Sequence, residues 1–113
     1  MPATFPRRGE VWLAELPDDP KPRPVLIVST DVRNELSNSV LAVPVTTNPR
    51  PSPTHVALPA GQGGLSRDSV ARCENVSYVH KSRLTRGPFG GPISPALTRQ
   101  VERALLKALG LGG

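Results

Sequence analysis

Apolar and polar positions along the chain fall into short blocks separated by turn residues, a spacing that predicts strands rather than helices. "GEVWLAEL" (Gly9 to Leu16) is the first expected strand. "PVLIVST" (Pro24 to Thr30) is an unbroken β-branched and aliphatic run of the kind that packs on both faces of a sheet, and it is expected to be the central strand. "VLAVPVTT" (Val40 to Thr47) resumes the pattern with Pro44 inside it, which demands a sheet edge or a bulge because proline has no N–H for the ladder. "THVAL", a long "SVARCENVSYV" (Ser69 to Val79) and "SRLTR" (Ser82 to Arg86) complete a set of about six.

The period changes once. After "GPFGGPI", Ser94 is a natural N-cap, Pro95 suits the first helical position and Gly110 lies just past the end. Leu97, Val101, Leu105, Ala108 and Leu109 line one face of the helix expected over 94–109, which should pack on the sheet. Between the first two strands "LPDDPKPRP" is a proline-braced loop, "DVRNELSNS" reads as a loop with a helical turn, and "NPRPSP" (Asn48 to Pro53) is stiff and exposed. The expectation is one mainly β domain over residues 1–113, with a flexible tail at 1–6 and a C-terminal helix.

Composition narrows the chemistry. The balance of 14 Lys and Arg against 9 Asp and Glu leaves +5, and eleven of the cations are arginines, so a polyanionic partner suits this chain. The single Cys73 has no disulfide partner within the chain and reads as a small buried residue. Nothing at the N-terminus resembles a signal peptide, so a reducing, cytoplasmic setting is expected, and no apolar run approaches the ~20 residues of a membrane helix. One Cys and two scattered His do not make a metal site, and no cofactor is expected. "GQGGLS" lacks the Lys and hydroxyl of a phosphate-binding P-loop, and there is no nucleophile elbow.

Arg23 stands out because Pro22 and Pro24 restrict the backbone on either side, setting it in extended conformation at the mouth of a strand. Either this guanidinium binds an anion with little entropy left to lose, or it pairs with a neighbouring carboxylate such as Glu10, Asp18 or Asp19.

The ordered blocks "RRGEVWLAEL", "RPVLIVS", "VPVTT", "THVALP", "GLSRDSVARCENV" and "HKSRLT" closely resemble the MazF/PemK family of toxin–antitoxin ribonucleases, from Arg7 to about Leu109. The resemblance implies a small twisted SH3-like barrel with a C-terminal helix and a homodimer. It also implies metal-independent cleavage of single-stranded RNA through the adjacent 2′-hydroxyl, and a cognate MazE-like antitoxin with an acidic segment. Carried over by motif, the catalytic positions are Arg23 and Thr46, with Thr47 as the alternative to Thr46. Arginine is too weak an acid to act as base near pH 7, so Arg23 is cast as the stabiliser of charge on the phosphate and Thr46 as the group that orients it.

His55, in "PTHVAL", is expected to assist proton transfer or to touch substrate, because histidine as a residue type ordinarily titrates near neutrality. Thr54, Glu74 and Asn75 are expected RNA contacts. Two departures from the family pattern stand out: Ser77 replaces a familiar Arg, and the first loop is short and lacks a Glu-Gln pair, a place that Asp18 or Asp19 can take. Trp12 is expected in the core and His80 in a turn. Two other readings belong to different functional classes: a DNA gyrase-binding toxin like CcdB, and an RNA- or antitoxin-binding module with weak or no catalysis.

Overall fold

A computed structural model describes residues 5–111. Seven strands and two helices follow the chain order β1 (Val11–Ala14), β2 (Arg23–Ile27), α1 (Asp31–Leu36), β3 (Ser39–Thr46), β4 (His55–Leu58), β5 (Ser69–Arg72), β6 (Ser77–His80), β7 (Leu84–Arg86) and α2 (Pro95–Ala108). All ladders are antiparallel. The strand path is β4-β5-β3-β2-β1-β7, with β6 also paired to β3, and among the described residues no ladder joins β4 to β7 to close it. The mainly β class with a C-terminal helix is as the sequence predicts. Most of the expected tail, residues 1–4, lies outside the described residues, while Pro6 is buried.

β2 is an inner strand, paired with β1 and β3, and its neighbour β3 is the longest, pairing with β2 on one side and with β5 and β6 in succession on the other. Two expectations are corrected. The single strand expected over Ser69–Val79 is broken by a 3-10 turn at Cys73–Asn75, which divides it into β5 and β6. Pro44 sits on neither an edge nor a bulge. Leu41 accepts from Val28 N–H and donates its own N–H to Ser29 Oγ, so odd-numbered residues of β3 face β2. The nitrogen of Pro44 therefore points to the opposite side, into the interval between Ala42, paired with Ser77 of β6, and Val45, paired with Ala71 of β5. A residue without an N–H is tolerated where one partner strand has ended and the next has begun.

Burial on both faces explains the unbroken apolar run in β2. Leu26 joins Val11, Val43, Val45, Leu58 and Cys73 beneath α2, while Val25 and Ile27 join Ala14, Val40, Ala42 and Val79 on the reverse face, with Trp12 packed against them. The helix begins where expected: Ser94 Oγ accepts from Leu97 N–H at 3.2 Å. It ends in a Schellman turn in which Gly110, at φ 74°, lets Leu111 N–H reach Leu106 C=O at 2.8 Å. Val101 and Ala104 form its buried stripe; Leu109 is 61% exposed and does not belong to it.

Candidate active site

Arg23 and Thr46 lie on neighbouring strand ends. The ladder between β2 and β3 runs from Ile27–Ala42 to Val25–Pro44, and the same register counted on by two residues sets Arg23 across from Thr46. Alternation puts both on the face that carries Val25, Ile27, Val40 and Ala42. Arg23 is exposed and donates from Nε to Asp19 Oδ2 at 2.6 Å. Of the carboxylates open to it, the structure selects Asp19. Asp18 pairs with nothing among the described residues, and Glu10 is taken by Trp12 Nε1 and the Arg7 N–H. The hydrogen bond from Arg23, helped by the Lys21 backbone N–H, holds the Asp19 carboxyl below its ordinary value.

Thr46 ends β3 and its Oγ1 accepts from Asn48 N–H at 3.1 Å, a local turn that fixes the side chain. It borders two depressions. One is a cleft of about 180 Å³ lined by Thr46, Asn48, Arg50, His55 and Arg72. The other is a groove of about 510 Å³ that also reaches Pro24, Thr47, Arg67, Arg86 and Phe89. Thr47 faces the groove alone.

The small cleft closes on a polar cluster. His55 Nε2 lies 2.9 Å from Glu74 Oε2, and its Nδ1 lies 2.6 Å from Arg50 C=O. Thr54 Oγ1 donates to Glu74 Oε1 at 3.0 Å. Both nitrogens of His55 thus face oxygens, which fixes the orientation of the ring. Partial burial raises the Glu74 carboxyl, but the hydrogen bonds from His55, its own backbone N–H and Thr54 outweigh this and hold it below the usual range. Arg72 Nε is buried without a hydrogen-bond partner; Glu74 Oε2, at 3.6 Å, is an ion-pair neighbour beyond hydrogen-bond reach. Asn75, on the same 3-10 turn as Glu74, faces a third depression of about 320 Å³ with Asp18, Asp19, Pro44 and Ser77.

The expected site residues therefore form two groups and one outlier. Thr46 and His55 line the small cleft, with Thr54 and Glu74 hydrogen-bonded to one another and Glu74 to His55; Arg23 and Asn75 flank the Asp19 side, and Thr47 stands apart on the larger groove. Arg50 and Arg72 join the first group without having been anticipated: each is one of eleven arginines, and only the pairing of β4 with β5, which sets His55 opposite Arg72, brings them there. Cys73 is fully buried as expected, and burial, then the Glu74 charge, pushes its thiol up to about 11.

Comparison with known proteins agrees with this architecture. A family model described as "PemK-like, MazF-like toxin of type II toxin-antitoxin system" matches residues 7–109. Endoribonuclease EndoA of Bacillus subtilis (strain 168) is 33% identical over 86 residues, covering 70% of this chain and 74% of that protein. Among solved structures, an endoribonuclease in complex with its cognate antitoxin from a mycobacterial species superposes with a TM-score of 0.82 at 33% identity, covering 94% of this chain and 96% of that one. The Mycobacterium tuberculosis toxin MazF-mt6 gives 0.79 at 28% identity, covering 90% and 97%. With nearly its whole length matched, and Arg23 and Thr46 set on adjoining strand ends, this chain belongs to the PemK/MazF family of type II toxin–antitoxin toxins.

Proposed function

We propose that the chain is the toxin of a type II toxin–antitoxin pair: a metal-independent, sequence-specific endoribonuclease that cleaves single-stranded RNA. The observation that carries the reading is the shared face and register of Arg23 and Thr46, with Thr46 bordering two depressions that hold Arg50, Arg67, Arg72 and Arg86. The 2′-oxygen attacks the adjacent phosphorus, the bond to the 5′-oxygen breaks, and the products are a 2′,3′-cyclic phosphate and a 5′-hydroxyl. Arg23 meets the charge that grows on the non-bridging oxygens, and Thr46 hydrogen-bonds the phosphate to fix its orientation. The 2′-hydroxyl proton passes to solvent water, and a water molecule protonates the departing 5′-oxygen. His55 acts as a positioning residue that holds Glu74, while Thr54, Glu74 and Asn75 meet bases of the substrate on the two sides of the 3-10 turn. An antitoxin with an acidic segment, bound over the same arginines, silences the toxin, which works as a homodimer.

The test is incubation with a long single-stranded RNA in EDTA beside Arg23→Ala and Thr46→Ala, followed by mapping of cut positions and end chemistry. Expected are discrete cuts with 5′-hydroxyl ends, slowed on the order of 100-fold or more in Arg23→Ala. Intact RNA at enzyme excess, with the protein folded, sinks the reading. The contact between Arg23 and Asp19 keeps one other reading in view, that of a binder with weak catalysis, and the same assay separates the two by product.

A further inference from the structure

The larger groove beside Thr46 has a far wall that no catalytic step uses. It is built from the end of β7 and the segment after it, facing the turn at residues 64–69. Arg86 is the last residue of β7, where the ladder to Leu13 anchors its backbone. Its guanidinium carbon lies 5.7 Å from the centroid of the Phe89 ring. The ring itself is half-buried against the core, and its backbone is doubly held. Phe89 N–H donates to Val11 C=O at 2.9 Å, and Gly64, at φ +83°, packs where any side chain would strike the Phe89 carbonyl. Across the groove stands Arg67. Among the described residues, neither Arg67 nor Arg86 pairs with a carboxylate, whereas Arg7, Arg8, Arg23, Arg72 and Arg83 all do.

Two guanidiniums without a carboxylate partner, one of them packed over a fixed aromatic ring, ask for a ligand that is both anionic and flat. An aliphatic acidic peptide would satisfy the charges and leave the ring idle; an unpaired nucleotide uses both. The chain has only four aromatic residues, so a stacking platform at the groove edge is a scarce resource here. We infer that this groove is a nucleotide subsite flanking the cleaved position, where an unpaired base stacks on the Arg86–Phe89 platform and Arg67 holds a neighbouring phosphate. The inference rests on the ribonuclease reading and assigns it a specificity-determining surface.

The experiment measures equilibrium binding of fluorescein-labelled single-stranded RNA decamers to the full chain carrying Arg23→Ala, with Phe89→Leu, Arg86→Lys or Arg67→Gln added in turn. In parallel, cut sites are mapped for the same substitutions with Arg23 intact. Phe89→Leu and Arg86→Lys are each expected to weaken binding on the order of tenfold, the latter although it keeps its charge. Arg67→Gln is expected to reduce the slope of log affinity against log salt by about 0.7, one phosphate contact on a single strand. In the cleaving chain, the preference at one base flanking the cut relaxes. Unaltered affinity and cut-site preference in folded variants overturn the inference. Arg86 is on the surface, so Arg86→Lys decides the matter even if Phe89→Leu lowers stability. RNA binding that depends on these residues without cleavage removes the nuclease reading and leaves the subsite standing; absence of RNA binding by the unmodified chain removes both. A fluorescein-labelled oligoglutamate peptide is titrated beside the decamers, and variants that lose its binding while RNA affinity and cut sites stay unaltered reassign the groove to an acidic protein partner and overturn the inference.

Discussion

Arg23 donates to Asp19 at 2.6 Å, so the guanidinium assigned to the scissile phosphate is already engaged by a carboxylate from the first loop. Phosphate must displace Asp19 or share Arg23 with it. Asp19→Asn removes the competing charge and is expected to tighten RNA binding a few-fold and to lower KM, with the largest gain at low salt, where charge competition is least screened. Unchanged or weaker binding would instead make Asp19 a support that holds Arg23 in place.

The Glu74 cluster makes stability depend on acid. The Glu74 carboxyl titrates below its ordinary 4.5 in the fold, so in acid the unfolded chain binds the extra proton. The resulting stabilisation is full above about pH 4.5 and is lost as pH falls through the folded value. Melting curves from pH 7 to pH 3 are expected to drop more steeply for the natural chain than for Glu74→Gln, which keeps hydrogen-bonding capacity without the charge. Parallel curves would show that the cluster carries no such linkage.

Cys73 is shut off from solvent, and its thiol is pushed up to about 11, so almost no thiolate exists at neutral pH. Alkylation by iodoacetamide at pH 8 is expected to be negligible in the folded protein and rapid in guanidinium. Fast labelling without denaturant would mean that the sheet opens beneath α2.

Helix α2 passes from a buried to an exposed position over about two turns. Val101, 4% exposed, packs into the core, and Val101→Ala is expected to cost about 2 kcal/mol in chemical denaturation. Leu109→Ala, at an exposed position past the last helical residue, is expected to stay within about 0.5 kcal/mol of the natural chain. Loss of the Ser94 cap in Ser94→Ala is expected to cost about 1 kcal/mol.

Local signals were enough for the features that depend on local chemistry. The Ser94 cap, the Gly110 stop, the two-faced burial of β2 and the burial of Cys73 follow from residue type and spacing. What escaped depends on partners distant in sequence. Nothing within "SVARCENVSYV" signals that its first part pairs with the end of β3 and its second part with the beginning, and that division forces the turn at Cys73–Asn75. Helical period placed Leu109 on the apolar face, but the helix ends at Ala108 and Leu109, its C-cap, is exposed. At the site, Arg23 was visible through its flanking prolines, and so was the short list of carboxylates that included Asp19. Arg72, Arg67 and Arg86 were not, because a lone arginine in a strand or turn announces nothing until folding sets it beside His55, Thr46 or Phe89.

Pro44 has a bearing on how this surface can change. With no donor at that point, the outer side of β3 carries two separate ladders, to β6 and to β5. The four residues between those strands, Cys73 to Val76, hold no register in either ladder. Asn75 faces a depression from that bridge without a side-chain hydrogen bond of its own among the described residues, whereas Glu74 is tied to Thr54 and His55. A library randomised at Asn75 should therefore return folded proteins in higher proportion than one randomised at Glu74.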